Sequence, residues 1–340
     1  MKNVGIVGAT GYAGEELIDI LLRHPDVRIV SLSAKIDKPQ NIEEIFPKFK
    51  SRIAPVCTQP NIKEIISKCD LVFLALPHTV SMEIAPKLLS AGKKVIDLSA
   101  DYRLSDIKIY AQFYKTKHKD KINLAKAVYG LPELYRAKIK SAQLIANPGC
   151  YPTAAILALA PLAAFNLVNL DSIIIDAKSG VTGSGRKATM ELFFSEINED
   201  FKAYKVGMHQ HAPEINQELS KLAGKKINIT LVPHLLPLNR GLLETIYVKK
   251  VQKSKTKLGN LVNFYKKFYK KEPFVRIRDE GDFPKIKDVV RTNFCDIGIK
   301  DSGETIIIIA AIDNLMKGAS GQAVQNMNIM YKLPEYTALL

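Results

Sequence analysis

The chain has little that would tie it to a membrane, an oxidising compartment or a structural metal. Its 340 residues include four cysteines, Cys57, Cys69, Cys150 and Cys295, and no two of them form a C-x-x-C pair. That scatter argues against a disulfide framework and a zinc site, and it fits a reducing cytoplasm. Long apolar runs are missing. The longest, residues 154–165, is interrupted by Pro161 and is too short to span a bilayer. No leader is expected, because Met1-Lys2-Asn3 runs straight into an apolar strand. Internal repeats and low-complexity linkers are absent. Acidic residues are scarce: 34 against 49 basic ones give a net charge of +15. The densest basic stretch, 249–271, carries Leu258, Leu261, Val262, Tyr265 and Phe268 at helical spacing. It reads as an amphipathic helix with a solvated lysine face, not as a nucleic-acid surface. Neither a nucleic acid nor a membrane is expected as a partner.

What is present is ordinary for a globular enzyme. A hydrophobic content of 47% with 24% charged residues suits a soluble fold, and the length suits two domains. Strands over 4–7, 27–32, 70–76, 95–98 and 144–146 alternate with helices over 15–23 and 80–91. Such alternation predicts an α/β, Rossmann-type parallel sheet with helices on both faces. After residue 165 longer strands dominate, over 172–177, 226–232, 243–251, 294–300 and 305–311, which predicts an α+β domain with a mixed sheet. A last helix over 318–330 is expected to return to the first domain. The expected division is therefore 1–148 with 315–340, and 149–314.

The first strand runs into Gly8-Ala9-Thr10-Gly11-Tyr12-Ala13-Gly14, and a helix apolar at Leu17, Ile18, Leu21 and Leu22 follows. Strand, glycine turn and helix are the context of a dinucleotide site. Gly8 allows the sharp turn, Gly11 lets backbone approach a diphosphate, and Gly14 lets helix pack on strand. The spacing is G-x-x-G-x-x-G, a variant of the commoner fingerprint. An NAD site places an acid after the second strand. This chain has Ser31, Ser33 and Lys35 there, with no acid before Asp37. Hydroxyls and a cation suit a 2′-phosphate, so NADP is the expected cofactor.

The segment Asn147-Pro148-Gly149-Cys150-Tyr151-Pro152-Thr153 joins a strand to a helix rich in Ala and Leu over 153–165. Pro152 suits the first helical position, which sets Cys150 in the turn ahead of the helix. Unpaired N–H groups there favour an anion by ~0.3–1 kcal/mol. A free thiol with a pKa of about 8.5 is only a few per cent ionised at neutral pH, so full activation needs a nearby imidazole or cation. A structural cysteine needs no such turn.

The histidines separate by context. His24 and His118, in charged surroundings, are expected at the surface. His78 ends a strand at the ligand-binding face of the sheet, with packing an equal alternative, and His234 reads as structural. In His209-Gln210-His211-Ala212-Pro213-Glu214, Pro213 suits a helix start, so His211 falls near the cap and Glu214 in the first turn. A carboxylate there can hold one ring nitrogen while the other exchanges protons. The pair has no third ligand in view, so no metal is expected.

A thiolate with a nicotinamide permits capture of an acyl group as a thioester, then hydride transfer that releases an aldehyde. A phosphate leaving group would need cations, and Arg103, Lys178, Arg186, Arg240 and Lys317 are candidates.

Nine segments stand in order along the chain: Gly8-Ala-Thr-Gly-Tyr-Ala-Gly14, Leu74-Ala-Leu-Pro-His78, Asp97-Leu-Ser-Ala-Asp-Tyr-Arg103, Tyr129-Gly-Leu-Pro-Glu133, Asn147-Pro-Gly-Cys-Tyr-Pro-Thr153, Lys178-Ser-Gly-Val-Thr-Gly-Ser-Gly-Arg186, His209-Gln-His-Ala-Pro-Glu214, Pro233-His-Leu-Leu-Pro-Leu-Asn-Arg-Gly241 and Ile312-Asp-Asn-Leu-Met-Lys-Gly318. On these the chain resembles the N-acetyl-gamma-glutamyl-phosphate reductases, NADPH-dependent enzymes of arginine biosynthesis. The resemblance implies a Rossmann domain, an α+β catalytic and oligomerisation domain, and a cytoplasmic homodimer or homotetramer acting on a small acyl phosphate. It makes Cys150 the nucleophile and His211 the acid/base with Glu214 orienting it; His209 is the rival. It sets Gly8, Thr10, Gly11, Tyr12, Ala13, Gly14, Ser33, Lys35, Pro77 and Asn314 against the cofactor, and Arg103, Asn147, Arg186 and His209 against substrate. Gln210 departs from the basic residue common between the two histidines, which puts one charge near the pocket in doubt.

The nearest competitor is the related reductase of lysine biosynthesis, whose substrate rides on an acidic carrier protein. That branch typically lacks Pro-Gly-Cys-Tyr-Pro. Aspartate-semialdehyde dehydrogenase shares the chemistry but matches these segments less well. A redox-sensing regulator would bind NADP without turnover.

Overall fold

A computed structural model describes residues 1–251 and 260–340 and divides into two compact units, Met1–Pro148 with Ala319–Leu340, and Gly149–Gly318. Leu258 lies outside the described residues. Residues 315–318 stay with the second unit because Asp313 holds them: its carboxylate accepts the Leu315 and Met316 N–H groups, and its carbonyl accepts that of Gly318. No helix among the described residues is long and apolar enough to cross a membrane.

The first unit is built on β1 (Lys2–Val7), β2 (Val27–Ser33), β3 (Gln40–Asn41), β4 (Val56–Thr58), β5 (Leu71–Leu74), β6 (Lys94–Asp97), β7 (Val128–Tyr129) and β8 (Leu144–Ala146). They lie in the order β3-β4-β2-β1-β5-β6-β8-β7, all parallel except β3 against β4. Burial on both faces explains the unbroken apolar runs: every residue of β5 and β8 is buried. The helices Tyr12–Leu21 and Ser81–Ser90 cross between parallel neighbours. The helix Gly321–Met330 belongs to this unit and is buried at every position. Its amides are paired inward, Asn326 to the Gly130 carbonyl at 2.9 Å and Asn328 to the Glu335 carbonyl at 3.1 Å.

His24 and His118 are not surface residues; they are 5% and 6% exposed. Each closes a turn and reaches into the core. His24 Nδ1 accepts the Asp26 N–H while Nε2 meets Asn328 at 2.9 Å. His118 Nδ1 accepts the Asp120 N–H while Nε2 meets the Asp101 carbonyl at 2.6 Å. Neighbouring charges in sequence do not reveal such long-range partners.

The second unit holds β9 (Val168–Gly180), β10 (Lys202–Ala203), β11 (Thr230–Leu236), β12 (Leu242–Lys250), β13 (Val275–Ile277), β14 (Cys295–Ser302) and β15 (Thr305–Ile312). The order β10-β11-β9-β12-β15-β14-β13 is mixed, with parallel pairs at β11·β9 and β13·β14. The expected strand over 226–232 shifts to β11, because helix side chains capture the preceding backbone. Ser220 accepts the Ile227 N–H and Asn216 accepts the Ile229 N–H.

The helix Cys150–Ala164 is apolar all round and buried from Tyr151 to Ala163, as a core helix must be. It begins earlier than expected, with Cys150 itself the first helical residue and Pro152 still inside the first turn. Pro161 does not end it. A proline inside a helix leaves the carbonyl four residues back without its usual donor. Here Tyr269 donates to the Leu157 carbonyl, and Tyr265 donates to that of Ala158 at 2.7 Å. Tyr265 comes from the helix Leu261–Phe268, whose buried face is Leu261, Val262 and Tyr265. The lysine-rich segment thus supports the helix of Cys150 from its apolar side.

Candidate active site

The glycine turn lies in the first unit. Gly8 has φ +97°, and a Cβ there would stand 2.1 Å from the Ala75 carbonyl oxygen. A Cβ on Gly14 would stand 2.2 Å from the Gly8 oxygen. Both positions therefore exclude side chains, for turn geometry and for helix packing. Gly11 differs: an added Cβ would meet only the Gly8 oxygen, at 3.6 Å. Among the described residues nothing else comes within 4 Å of that position over Gly11, the N-cap of Tyr12–Leu21, so the turn fits a diphosphate. Thr10, Tyr12 and Ala13 are half-buried beside it. Past the ends of β2 and β4 lies an open cleft of about 630 Å³, lined in part by Asp37, Lys38, Thr58, Gln59 and Asn61.

Lys35 is exposed in the loop after β2. Ser33 needs correcting: it is 1% exposed, and its hydroxyl has no partner. Its carbonyl, not its hydroxyl, serves the turn by accepting the Gly8 and Ala9 N–H groups at 2.7 and 3.0 Å. As the last residue of β2 it faces into the sheet's packing and presents no hydroxyl to the loop.

Pro77 and His78 are exposed in the turn after β5. That turn is held by the buried Asp101, whose carboxylate accepts the Thr79 and Met82 N–H groups at 2.7 and 3.0 Å. These bonds offset the ~1–3 kcal/mol cost of Thr79 at φ +75°. Asp97, also fully buried, accepts both the N–H and the hydroxyl of Ser99. Burial, then the charge of Asp101, pushes its carboxyl up to about 6.

Arg103 and Asn147 act on the protein itself. Arg103 is 6% exposed and donates to the Asn147 and Leu98 carbonyls, both at 2.7 Å. The Asn147 amide is spent at both ends: Nδ2 donates to the Ala319 carbonyl and Oδ1 accepts from Asn326. Together these bonds fix the backbone at the end of β8.

The thiol lies in the second unit. Cys57, Cys69 and Cys295 are buried and Cys150 is partly open. Burial pushes the Cys57 and Cys69 thiols up to about 11, so neither is a nucleophile. Cys150 follows the N-cap Gly149, within reach of first-turn N–H groups that favour an anion by ~0.3–1 kcal/mol. Thr153 locks that turn, its hydroxyl donating to the Gly149 carbonyl at 2.9 Å. Two glycines make the room. A Cβ on Gly149 would stand 2.5 Å from His211 Nε2, and one on Gly318 would stand 2.8 Å from the Cys150 Cβ.

His211 is the N-cap of Ala212–Ala223, as its place before Pro213 predicts. Glu214 is 1% exposed and accepts the Gly149 N–H at 2.9 Å, so it grips the turn that carries the thiol. His209 is 6% exposed; its ring lies 4.8 Å from that of His211 and 5.3 Å from that of Tyr151. Cys150, His209, His211 and Glu214 thus come together. Arg186 stands on an exposed loop of the same unit. Asn314 is 3% exposed; its Oδ1 accepts the Gly241 N–H and its Nδ2 donates to Thr182. It clamps two turns of the second unit.

The other candidate cations are engaged within the unit. Arg240 pairs bidentately with the buried Asp313 at 3.0 and 3.1 Å, Lys178 pairs with Asp176, and Lys317 is fully buried. The sequence reading missed Gly318, Tyr151 and Tyr204 as members of the thiol's surroundings. Tyr151 adjoins Cys150 in the chain, whereas Gly318 and Tyr204 are brought in by the fold.

Residues 3–142 match the family described as semialdehyde dehydrogenase, NAD binding domain, and residues 150–314 match semialdehyde dehydrogenase, dimerisation domain. The N-acetyl-gamma-glutamyl-phosphate reductase of Geotalea daltonii is 49% identical over 342 residues, covering 100% of this chain and 98% of that one. Its counterpart in Pelotomaculum thermopropionicum is 48% identical over 338 residues, covering 99% and 97%. Among solved structures, aspartate semialdehyde dehydrogenase II of Vibrio cholerae, complexed with ASA, has a TM-score of 0.73 at 18% identity over 98% of each chain. The Candida albicans aspartate semialdehyde dehydrogenase with NADP has a TM-score of 0.73 at 16% identity, over 97% of this chain and 98% of that one. At such identities the two structures share the fold.

Proposed function

This chain belongs to the N-acetyl-gamma-glutamyl-phosphate reductase family, and on that footing we propose that it reduces N-acetyl-γ-glutamyl phosphate to N-acetylglutamate semialdehyde and phosphate with NADPH. The observation that carries the reading is Cys150: the one partly open thiol of the four, at the first position of a helix, with His211 packed against the preceding glycine.

The first unit is the NADP-binding domain. The space over Gly11 receives the diphosphate, Lys35 the 2′-phosphate, and Pro77 lines the same end of the sheet. When bound, the cofactor supplies the hydride that reduces the thioester carbonyl. The second unit is the catalytic and oligomerisation domain. The Cys150 thiolate attacks the acyl carbon; a C–S bond forms, the C–O bond to phosphate breaks, and phosphate leaves. His211 holds the proton that neutralises oxygen charge on the acyl carbon. It takes that proton back as the C–S bond breaks, which frees the aldehyde and restores the thiolate. Glu214, through the Gly149 N–H, keeps the thiol-bearing turn in place. Arg186, on an exposed loop of the second unit, is the cation assigned to substrate phosphate or carboxylate.

A homodimer or homotetramer in the cytoplasm completes the proposal. Exposed Met190, Phe193, Phe194 and Met208 favour a self-associating domain, and a reducing compartment keeps Cys150 as a thiol. The test follows NADP reduction with the semialdehyde and phosphate. The native chain should turn over, and Cys150→Ala should lose turnover while still binding NADPH. Turnover by Cys150→Ala, or none by the native chain, overturns the proposal.

A further inference from the structure

Two side chains outside the thiol's own turn, His209 and Tyr204, link His211 to Tyr151 in a directed chain of contacts. The His211 backbone N–H donates to His209 Nδ1 at 3.2 Å. An imidazole nitrogen that accepts an N–H carries no proton of its own, so neutral His209 has its proton on Nε2. That nitrogen faces the Tyr204 hydroxyl at 3.4 Å. With Tyr204 accepting from His209, its own O–H is left for Tyr151, whose hydroxyl is 3.1 Å away. Burial pushes both tyrosine hydroxyls well above their ordinary titration range, so each stays neutral. Tyr151 follows Cys150 directly in the same helical turn. The rings of Tyr151, His209, Tyr204 and His211 also meet edge to face, at centroid separations from 4.8 to 5.7 Å. The chain therefore begins on the backbone of His211 and ends on the turn that holds the thiol.

We infer that His209 and Tyr204 are positioning residues, which fix His211 against the Cys150 turn, and that His209 is not the acid/base. This rests on the proposed thioester chemistry for its kinetic consequences, though not for its geometry. Both ring nitrogens of His209 are committed within the protein, and its ring is buried. His211 lies with Nε2 over Gly149. Breaking the chain leaves the His211 N–H without its acceptor, so the imidazole loses its bearing on the sulfur. Misplacement by about 1 Å can cost about 100-fold in rate; a partial loss of orientation should cost about tenfold.

The test uses the full chain with Tyr204→Phe, His209→Asn and His209→Leu. Asparagine offers an oxygen where Nδ1 stood, so it can still accept the His211 N–H, whereas leucine cannot. Tyr204→Phe should lower kcat about tenfold with the KM for acyl phosphate and for NADPH unchanged. His209→Asn should recover most of the activity that His209→Leu loses. The second readout is the pH dependence of Cys150 alkylation without substrate. Titratable groups about that turn among the described residues include Tyr151, Tyr204, His209, His211, Glu214 and the buried Glu244. In Tyr204→Phe and His209→Leu the midpoint should move to higher pH by about half a unit, as imidazole support of the thiolate weakens. His209→Asn as inactive as His209→Leu would return the acid/base role to His209 and overturn the inference. Native kcat and an unmoved alkylation midpoint in Tyr204→Phe would also overturn it. A native chain without reductase activity would sink the proposed function alone, because the alkylation profile decides the positioning question by itself.

Discussion

Helix Tyr12–Leu21 is capped by Gly11 at φ −80°, ψ 167°, and helix Cys150–Ala164 by Gly149 at φ −70°, ψ 160°; neither cap residue supplies a side-chain bond. Both starts leave first-turn N–H groups suited to an anion. Over Gly11 the nearest atom to an added methyl is 3.6 Å away, while over Gly149 the His211 ring is 2.5 Å away. One turn is kept clear for a charge that arrives from outside. On the proposed function, the other carries its own nucleophile, the thiol of its first residue, with His211 over the capping glycine. A glycine-capped helix start therefore announces an anion site, and what folds over the glycine decides whether the anion is guest or resident.

Alanine at each cap is the strongest way to break this pairing. Gly149→Ala drives a methyl into the His211 ring, and kcat is expected to fall about 100-fold with NADPH binding retained. Gly11→Ala meets no protein atom closer than 3.6 Å, so the melting temperature should hold. The methyl instead intrudes on the diphosphate, and the KM for NADPH should rise about tenfold, or ~1.4 kcal/mol, with kcat at saturating NADPH intact. Equal losses of kcat in the two variants would erase the distinction.

A smaller effect separates the buried carboxyls of the two units. Asp97 in the first unit is bonded to Ser99, whereas Glu244 on β12 is fully buried with neither oxygen paired. Burial raises the Glu244 carboxyl well above its ordinary 4.5, against the opposing charge of Lys178. The unfolded chain ionises from about pH 4.5 upward while the folded one stays protonated. Stability is therefore lost as pH rises from there towards the folded value. Glu244→Gln removes that loss. Its melting temperature should exceed the native one by roughly 2–4 °C at pH 7.5, with no difference near pH 4, as thermal scans at the two pH values would show. A constant offset at both would mean that packing, not ionisation, is at work.

Much of the site's chemistry was legible because it is local. The Gly8 to Gly14 turn, the cysteine at a helix start and the cap position of His211 each follow from a few adjacent residues whose backbone preferences agree. Helix ends were less legible. Pro152 suggested a start at Thr153, yet the helix begins at Cys150, and its passage through Pro161 is supported by Tyr265 and Tyr269, distant in sequence, which donate to the Ala158 and Leu157 carbonyls. Ser33, Asn147 and Asn314 read as binding residues because polar side chains near glycine turns commonly are. In the fold, Ser33 is sealed, and the two amides are spent on Ala319, Asn326, Gly241 and Thr182.

The sequence by itself determined the two architectures, the glycine-capped helix starts and which thiol is the candidate nucleophile, since these depend on backbone freedom, helix ends and residue chemistry within short spans. Only the tertiary structure decided which polar groups are committed and which are open. A hydrogen bond between residues far apart in the chain leaves no trace in either neighbourhood, and it takes a folded core to bring Tyr204, His209 and Gly318 to the surroundings of one sulfur atom.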